Sequence, residues 1–545
     1  MDRRTWGSAA ALAGPLLLVV AGVVVPLGYL GLRAFQAEPA ELEALVFRWR
    51  NLRLLGNTAA LAAGVLAVST LLAAPAAWLV ARTDLPARRL FTLLGVLPLA
   101  VPGYVMAYAL LAATGPRGTL ATVGLELPRA GGYWGAVAAL GLYTAPYLFL
   151  NLRAALLGLD PALEESARSL GATPGQALRR VVLPQLLPAY LAGTLLVVLH
   201  ALGDFGVVSL MRFETFSYAI YLQYAASYDR VYAAWLAIML LALTAALLWG
   251  EARLLHARRF DRAGIGAARA ARRHRLGIWK VPAMAGLGFS ALVGVGLPIA
   301  TTLYWLGRGT ERSPWADLGE ALWDSASAAF PAALLAAALA LPVAYLGVRR
   351  PGTGAKLLER AAYLGYATPP LAFALALVVF ALSAAPLLYQ TFALLVLAYA
   401  LHFLAEGVGP VRSALYQAPA RLEEAARALG KSPVAAFFAV TFPLLRRGLV
   451  VSVAFVFLSA LKELPITFLL APIGFRSLAM GVWSAAGEAY FSVAAPYALA
   501  LIAVSTLLVG LLLVERAPAA RETAGKRRRW RPWRASTPTA AASTG

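Results

Sequence analysis

Residues 164–184, EESARSLGATPGQALRRVVLP, align without gaps on residues 423–443, EEAARALGKSPVAAFFAVTFP, with 10 identities in 21 at an offset of 259. Both copies carry the same punctuation. In the first, Asp160-Pro161 opens a helix, because proline is acceptable at the first helical position, and Glu164 with Arg168 is predicted to form an i,i+4 pair along it. Gly171 supplies a left-handed stop. Thr173 then caps a second helix beginning at Pro174, and Pro184 is expected to end that helix at the membrane. The second copy repeats the device with Glu423 and Arg427, Gly430, Ser432 before Pro433, and Pro443. One such loop could be a tether between two membrane spans, but tethering does not need the same glycine, caps and carboxylates twice.

The duplication extends outward. Upstream the offset is 267, pairing Asn57 with Asp324, Pro75 with Pro342 and Pro102 with Pro369; the eight-residue difference falls in the loop around 114–132. Of 545 residues, 61% are hydrophobic and only 14% charged, against about a quarter charged in soluble domains. Disorder is excluded by that hydrophobicity, and the absence of cysteine excludes disulfide scaffolds, thiolate metal sites and Cys nucleophiles. A span needs about 20 apolar residues. Twelve runs qualify, near 12–33, 57–80, 91–113, 133–153, 187–210, 231–250, 282–306, 325–347, 361–382, 389–409, 446–470 and 493–514. This predicts an all-α polytopic membrane protein of about 12 transmembrane helices in two six-helix repeats. An even number of spans per half gives both the same orientation, a parallel repeat. The expected divisions are a first half 1–250 with its loop at 160–184, a basic linker 251–281, a second half 282–514 with its loop at 419–443, and a basic, disordered tail 515–545.

The net charge of +22 would suggest nucleic acid only if it clustered on a groove-reading module; here it sits in short blocks between apolar runs. With the N-terminus inside, 36 of the 48 Lys and Arg residues fall on inside segments and 10 on outside loops. This bias places both termini and the linker in the cytoplasm. The stretch KRRRWRPWR (526–534) in the tail suits retention beside anionic lipid. The first run follows Arg3 and Arg4 as a signal peptide would, but it is too long and lacks a small-residue cleavage site, so it reads as a signal anchor and first span.

Glu165-Ser166-Ala167, three residues, Gly171, nine residues, Val181-x-Leu183-Pro184 resembles the EAA motif of binding-protein-dependent ABC transporter permeases. Glu424-Ala425-Ala426, Gly430 and Val440-x-Phe442-Pro443 match it as well; Ser for Ala and Phe for Leu are the departures. The resemblance implies the ABC importer permease fold in a bacterial inner membrane. It gives an ATPase-coupling role to Glu164, Glu165, Ala167, Gly171 and Pro184, and to Glu423, Glu424, Ala426, Gly430 and Pro443. Two cytoplasmic ATPase subunits would grip these loops. Glu165 and Glu424 would offer charge-assisted hydrogen bonds, and the small residues Ser166, Ala167, Ala425 and Ala426 would permit close approach. A periplasmic solute-binding protein would meet the outside loops, including Glu38, Glu41, Glu43 and 307–323.

No catalytic constellation competes with this. GKS at 430–432 resembles the end of a phosphate-binding loop, yet position 425 is Ala where that loop needs glycine. ATP and Mg therefore belong to the partner subunits, and this chain is expected to bind no cofactor and perform no chemistry. The four His residues show no HExxH or i,i+4 pairing, and His256 and His274 read as parts of the basic linker. RTDLPARRL (82–90) is similar to the basic loop of major-facilitator carriers without that family's glycines, which leaves an ion-coupled secondary transporter as a distant alternative.

Charges inside spans are functional candidates by default. HALGDFGVVSL (200–210) and SALKELPITFL (459–469) are equivalent at the 259 offset and set Asp204 opposite Glu463, with Lys462 beside it. Two readings stand. Asp204 caps backbone freed near Gly203 and Gly206 while Lys462 and Glu463 pair locally or snorkel; or the fifth spans flank the axis and the carboxylates face one translocation path. A hard trivalent cation such as ferric iron prefers oxygen ligands, although no fixed metal site is indicated. These segments, with ETFSYAIY and LAPIGFRSLAMGVW, resemble fused permeases of ferric-iron ABC importers over nearly the whole chain. Ferric iron is the implied cargo. Related permeases carry thiamine, polyamines, sulfate or phosphonates, and these remain alternatives.

Overall fold

The structure is a computed structural model and describes residues 3–36, 39–227, 229–256, 273–309, 315–349 and 351–515. The tail beyond Glu515, linker residues 257–272, Glu38 and 310–314 of the outer loop lie outside the described residues, as do the side chains of Arg3, Arg4 and Glu41.

Lipid offers no partner to a backbone N–H or C=O, so apolar runs this long become helices. Nine helices among the described residues are long and apolar enough to cross a membrane, and three bent pairs bring the number to twelve. The bent pairs are the third, ninth and tenth spans. The third is Arg88–Ala100 followed by Gly103–Ala113 at 93°, and the ninth is Thr353–Ala367 followed by Pro370–Ala384 at 106°. Pro102 and Pro369, equivalent in the duplication, explain these two bends. The residue before a proline is pushed out of the helical region, and Val101 and Thr368 accordingly have ψ of 109° and 125°. The tenth span, Phe392–His402 with Leu404–Gln417, bends by 52° at Phe403.

The fifth and eleventh spans differ from expectation in two ways. Pro184 and Pro443 do not end the helices: Pro174–Gly203 and Pro433–Leu461 are each continuous. One wide turn precedes each proline, at Leu178–Val182 and Phe437–Thr441, closed by Leu183 N–H to Leu178 C=O and Phe442 N–H to Phe437 C=O. Proline gives no N–H, and its ring would strike the carbonyl four residues back; a π-type turn accommodates both faults. At their far ends the two spans do stop, at Asp204 and at Lys462-Glu463. Short helices Gly206–Leu210 and Pro465–Leu470 follow.

The halves interlock. The leading helix of the first half, Arg3–Ala34, packs on Thr353–Ala367 and Pro370–Ala384 of the second, with Tyr29 edge-on to Phe380 at 5.4 Å. The leading helix of the second half, Leu297–Gly307, packs reciprocally on Gly103–Ala113, and Trp305 Nε1 donates to Ala112 C=O at 3.1 Å. Each leading helix thus braces the bent span of the other half.

Candidate coupling loops and translocation cavity

The two loops are built alike in detail. Asp160 Oδ1 accepts from Ala162 N at 3.0 Å and starts helix Pro161–Ser169. Gly171 then takes φ +89°, with Ala172 N bonded to Ala167 C=O at 3.1 Å and Gly171 N to Arg168 C=O at 3.0 Å. This pair of bonds is a Schellman stop. In the second loop Gly430 also has φ +89°, with Lys431 N on Ala426 C=O at 3.2 Å and Gly430 N on Arg427 C=O at 3.0 Å. Thr173 and Gln176 form a capping box, and Ser432 Oγ accepts from Ala435 N at 3.2 Å.

The expected Glu164–Arg168 and Glu423–Arg427 pairs do not form. Glu164 instead turns back to the end of the second span, where buried Arg82 (3% exposed) donates to it. An exposed i,i+4 pair is worth only about 0.3–0.5 kcal/mol, whereas a buried guanidinium left alone costs several. Glu423 accepts from Tyr345 Oη at 2.9 Å and Thr441 Oγ1 at 3.0 Å. The inner carboxylates thus fasten each loop to its span. Glu165, Ser166, Glu424 and Ala425 point outward, while Ala167 is half-buried and Ala426 buried, so only part of the small-residue face is free. Sequence reasoning missed Leu170 and Leu429, 89% and 85% exposed immediately before the stop glycines. Their identity in both copies was the available signal.

His274 is more than linker. Its N–H bonds Arg82 C=O at 2.8 Å and its C=O accepts from Asp84 N at 3.1 Å, forming a short bridge beside Thr83. Its ring stacks on Trp78 at 5.6 Å, with Nε2 3.7 Å from Glu164 Oε1. Asp84 completes the clamp, accepting from Leu276 N and Lys280 Nζ, both at 2.9 Å. The Lys280 ammonium holds the Asp84 carboxyl below its usual range, helped by the Leu276 amide.

The charged breaks of the fifth and eleventh spans meet at the centre. Gly206 lies so close to its neighbours that a Cβ there would sit 2.9 Å from Tyr104 Cβ and 3.2 Å from Leu464 Cδ2. Tyr104 Oη donates to Lys462 C=O at 3.2 Å. Around this contact is a cavity of about 190 Å³ walled by both halves, with Pro102 and Pro369 at corresponding positions. Asp204, Lys462 and Glu463 all line it. Asp204 Oδ1 accepts from Val207 N at 2.8 Å and Val208 N at 3.3 Å, and Glu463 Oε1 from Ile466 N at 3.1 Å. Each carboxyl therefore caps a short helix and also lines the shared cavity. Lys462 does not pair with Glu463; its Nζ reaches Leu99 C=O at 3.3 Å.

Glu406, at the bend of the tenth span, also lines the cavity and accepts from Ser459 Oγ at 2.6 Å. It stands inside the apolar run 389–409, so the rule that singles out Asp204 applies to it equally. Among the described residues no three His, Asp or Glu side chains are grouped closely enough to hold a metal ion.

A helical array with two outward loops and one polar cavity between duplicated halves has a counterpart among known families. The family model for the inner membrane component of binding-protein-dependent transport systems matches residues 57–259 and again 329–517. The chain belongs to this family. The permease is 31% identical over 503 residues to an Fe(3+)-transport system permease protein of Haemophilus influenzae, covering 91% of this chain and 97% of the relative. It is 32% identical over 210 residues to a probable molybdenum ABC transporter permease of Haloferax volcanii, covering 38% of this chain and 75% of the relative. A sulfate transport system permease of Salmonella typhimurium matches at 34% over 136 residues, 24% of this chain and 48% of the relative. The permease is thus a multi-pass inner-membrane component of an ABC import system, with its family unit present twice.

Proposed function

We propose that the permease carries ferric iron from a periplasmic binding protein through the central cavity to the cytoplasm, driven by two cytoplasmic ATPases docked on the two loops. The observation that carries the cargo assignment is the cavity's charge: Asp204, Glu406 and Glu463 against the single ammonium of Lys462. Such a wall attracts a highly charged cation and repels molybdate or sulfate. Likeness to the ferric relative along nearly its whole length points the same way.

The loops suit the coupling role. Glu164 and Glu423 fasten them inward, while Glu165, Glu424, Leu170 and Leu429 face outward to a partner. Gly171 and Gly430 set the turn, Ala167 and Ala426 let helix and membrane end pack closely, and Pro184 and Pro443 mark the wide turn into the span. Because the second helix of each loop is continuous with a span that ends at a cavity carboxylate, a push on the loop can reach the cavity wall. Both termini would lie in the cytoplasm, and this chain would bind no nucleotide and perform no catalysis. The test is uptake into proteoliposomes holding the permease with its ATPase and binding protein, offered radioactive ferric iron, molybdate, sulfate, thiamine and polyamine in turn. Accumulation of iron alone supports the assignment; accumulation of any other solute without iron overturns it.

A further inference from the structure

The cavity is duplicated in plan but not in chemistry. At the 259 offset Tyr147 corresponds to Glu406, His200 to Ser459, Gly203 to Lys462 and Asp204 to Glu463. The first half closes its wall with a Tyr147–His200 ring contact at 4.5 Å, where the second half has the Glu406–Ser459 hydrogen bond at 2.6 Å. Only the second half contributes a lysine.

We propose that Glu406 and Lys462 set the charge selectivity of the path: Glu406 supplies the third carboxyl that favours a trivalent cation, and Lys462 is the resident counter-cation that cargo must displace. This rests on the cavity being the cargo path. Three carboxyls lining one buried cavity are costly without a neutralising partner, and one ammonium on a flexible stem supplies it. Lys462 is not locked in place. Among the described residues no carboxylate lies within ion-pair distance of its Nζ, and the hydrogen bond of that ammonium to Leu99 C=O, at 3.3 Å, is longer than the usual 2.7–3.2 Å. A monovalent ion brings no more charge than the ammonium it must push aside; a trivalent ion brings three times as much. Once displaced, the ammonium repels the cargo from behind and shortens its stay. His402, 3% exposed, also lines this wall.

Terbium(III) is a trivalent, oxygen-seeking probe whose luminescence is excited through nearby tyrosines, and Tyr104 and Tyr143 line this cavity. The full chain in zwitterionic nanodiscs would be titrated with terbium, alone and against calcium. Glu406→Gln is expected to weaken terbium binding about tenfold and Lys462→Met to tighten it about tenfold. Calcium should compete in Lys462→Met but not in the native protein, and Lys462→Arg should behave as native, which separates charge from folding. Native titrations for both Glu406→Gln and Lys462→Met, with Asp204→Asn and Glu463→Gln still weakening binding, would overturn this inference while sparing the path. Native titrations for all four would remove the path as well.

Discussion

The two halves of the permease are near copies at the loops and strangers at the cavity. Gly171 and Gly430 share φ +89°, and Leu170 and Leu429 share nearly the same exposure. At the cavity, Tyr147 corresponds to Glu406 and Gly203 to Lys462. The difference teaches what each surface meets. On the proposed function, two loops that each receive an ATPase must both keep the docking geometry, whereas one path walled by both halves can keep the Asp204/Glu463 pair and place Glu406 and Lys462 on one side alone. Between these extremes lie the loop anchors: Glu164 is held by Arg82, but Glu423 by Tyr345, the counterpart of Trp78, and by Thr441.

The symmetry of the loops can be broken most severely at their glycines. Proline cannot reach φ +89°, so Gly171→Pro and Gly430→Pro should each abolish uptake while immunoblots find normal amounts in the membrane. Unaltered stimulation of ATP hydrolysis in either variant would break the claim that the loops transmit force. Next come the anchors. Arg82→Met strands a mostly buried Glu164 and should cost about 3–5 kcal/mol, against about 1.5–3 kcal/mol for Tyr345→Phe, which removes one neutral donor from the Glu423 carboxylate and leaves Thr441. Thermal unfolding in detergent measures both, and equal losses would erase the asymmetry. Leu170→Ser and Leu429→Ser should leave unfolding unchanged, since the side chains are exposed, yet each should weaken ATPase docking by about 1.5–3 kcal/mol, the value of burying one leucine. The smallest effect is at the linker clamp. Its Asp84 carboxyl is depressed in the folded chain, so the clamp's contribution is present at neutral pH and fades as pH falls through that lowered value. Asp84→Asn should speed amide exchange at 82–84 at neutral pH, with no change at the corresponding 349–351.

Much of this organisation is legible in the sequence. The repeat shows by aligning the chain on itself, and the capping residues and stop glycines involve neighbours within a few positions, so local rules place them. What escapes depends on distant convergence. Nothing near Glu164 announces that Arg82, 82 residues away, will outbid Arg168. The repeat comparison that pairs Asp204 with Glu463 hides Glu406 because its partner is Tyr147. Pro184 and Pro443 read as helix ends because the cost of an interior proline is local, but a single wide turn offsets it. His274 belongs by composition to the linker, and its bridge to the 82–84 loop is visible only once the chain is folded.

The central claim is that energy enters at the loops and cargo passes the carboxylates at the cavity, at separable places on one molecule. Its most direct test is the Asp204→Asn/Glu463→Gln double variant, reconstituted with its ATPase and binding protein, with ferric uptake and ATP hydrolysis recorded together. Uptake should disappear while loaded binding protein still stimulates hydrolysis. Uptake at the native rate would contradict the account.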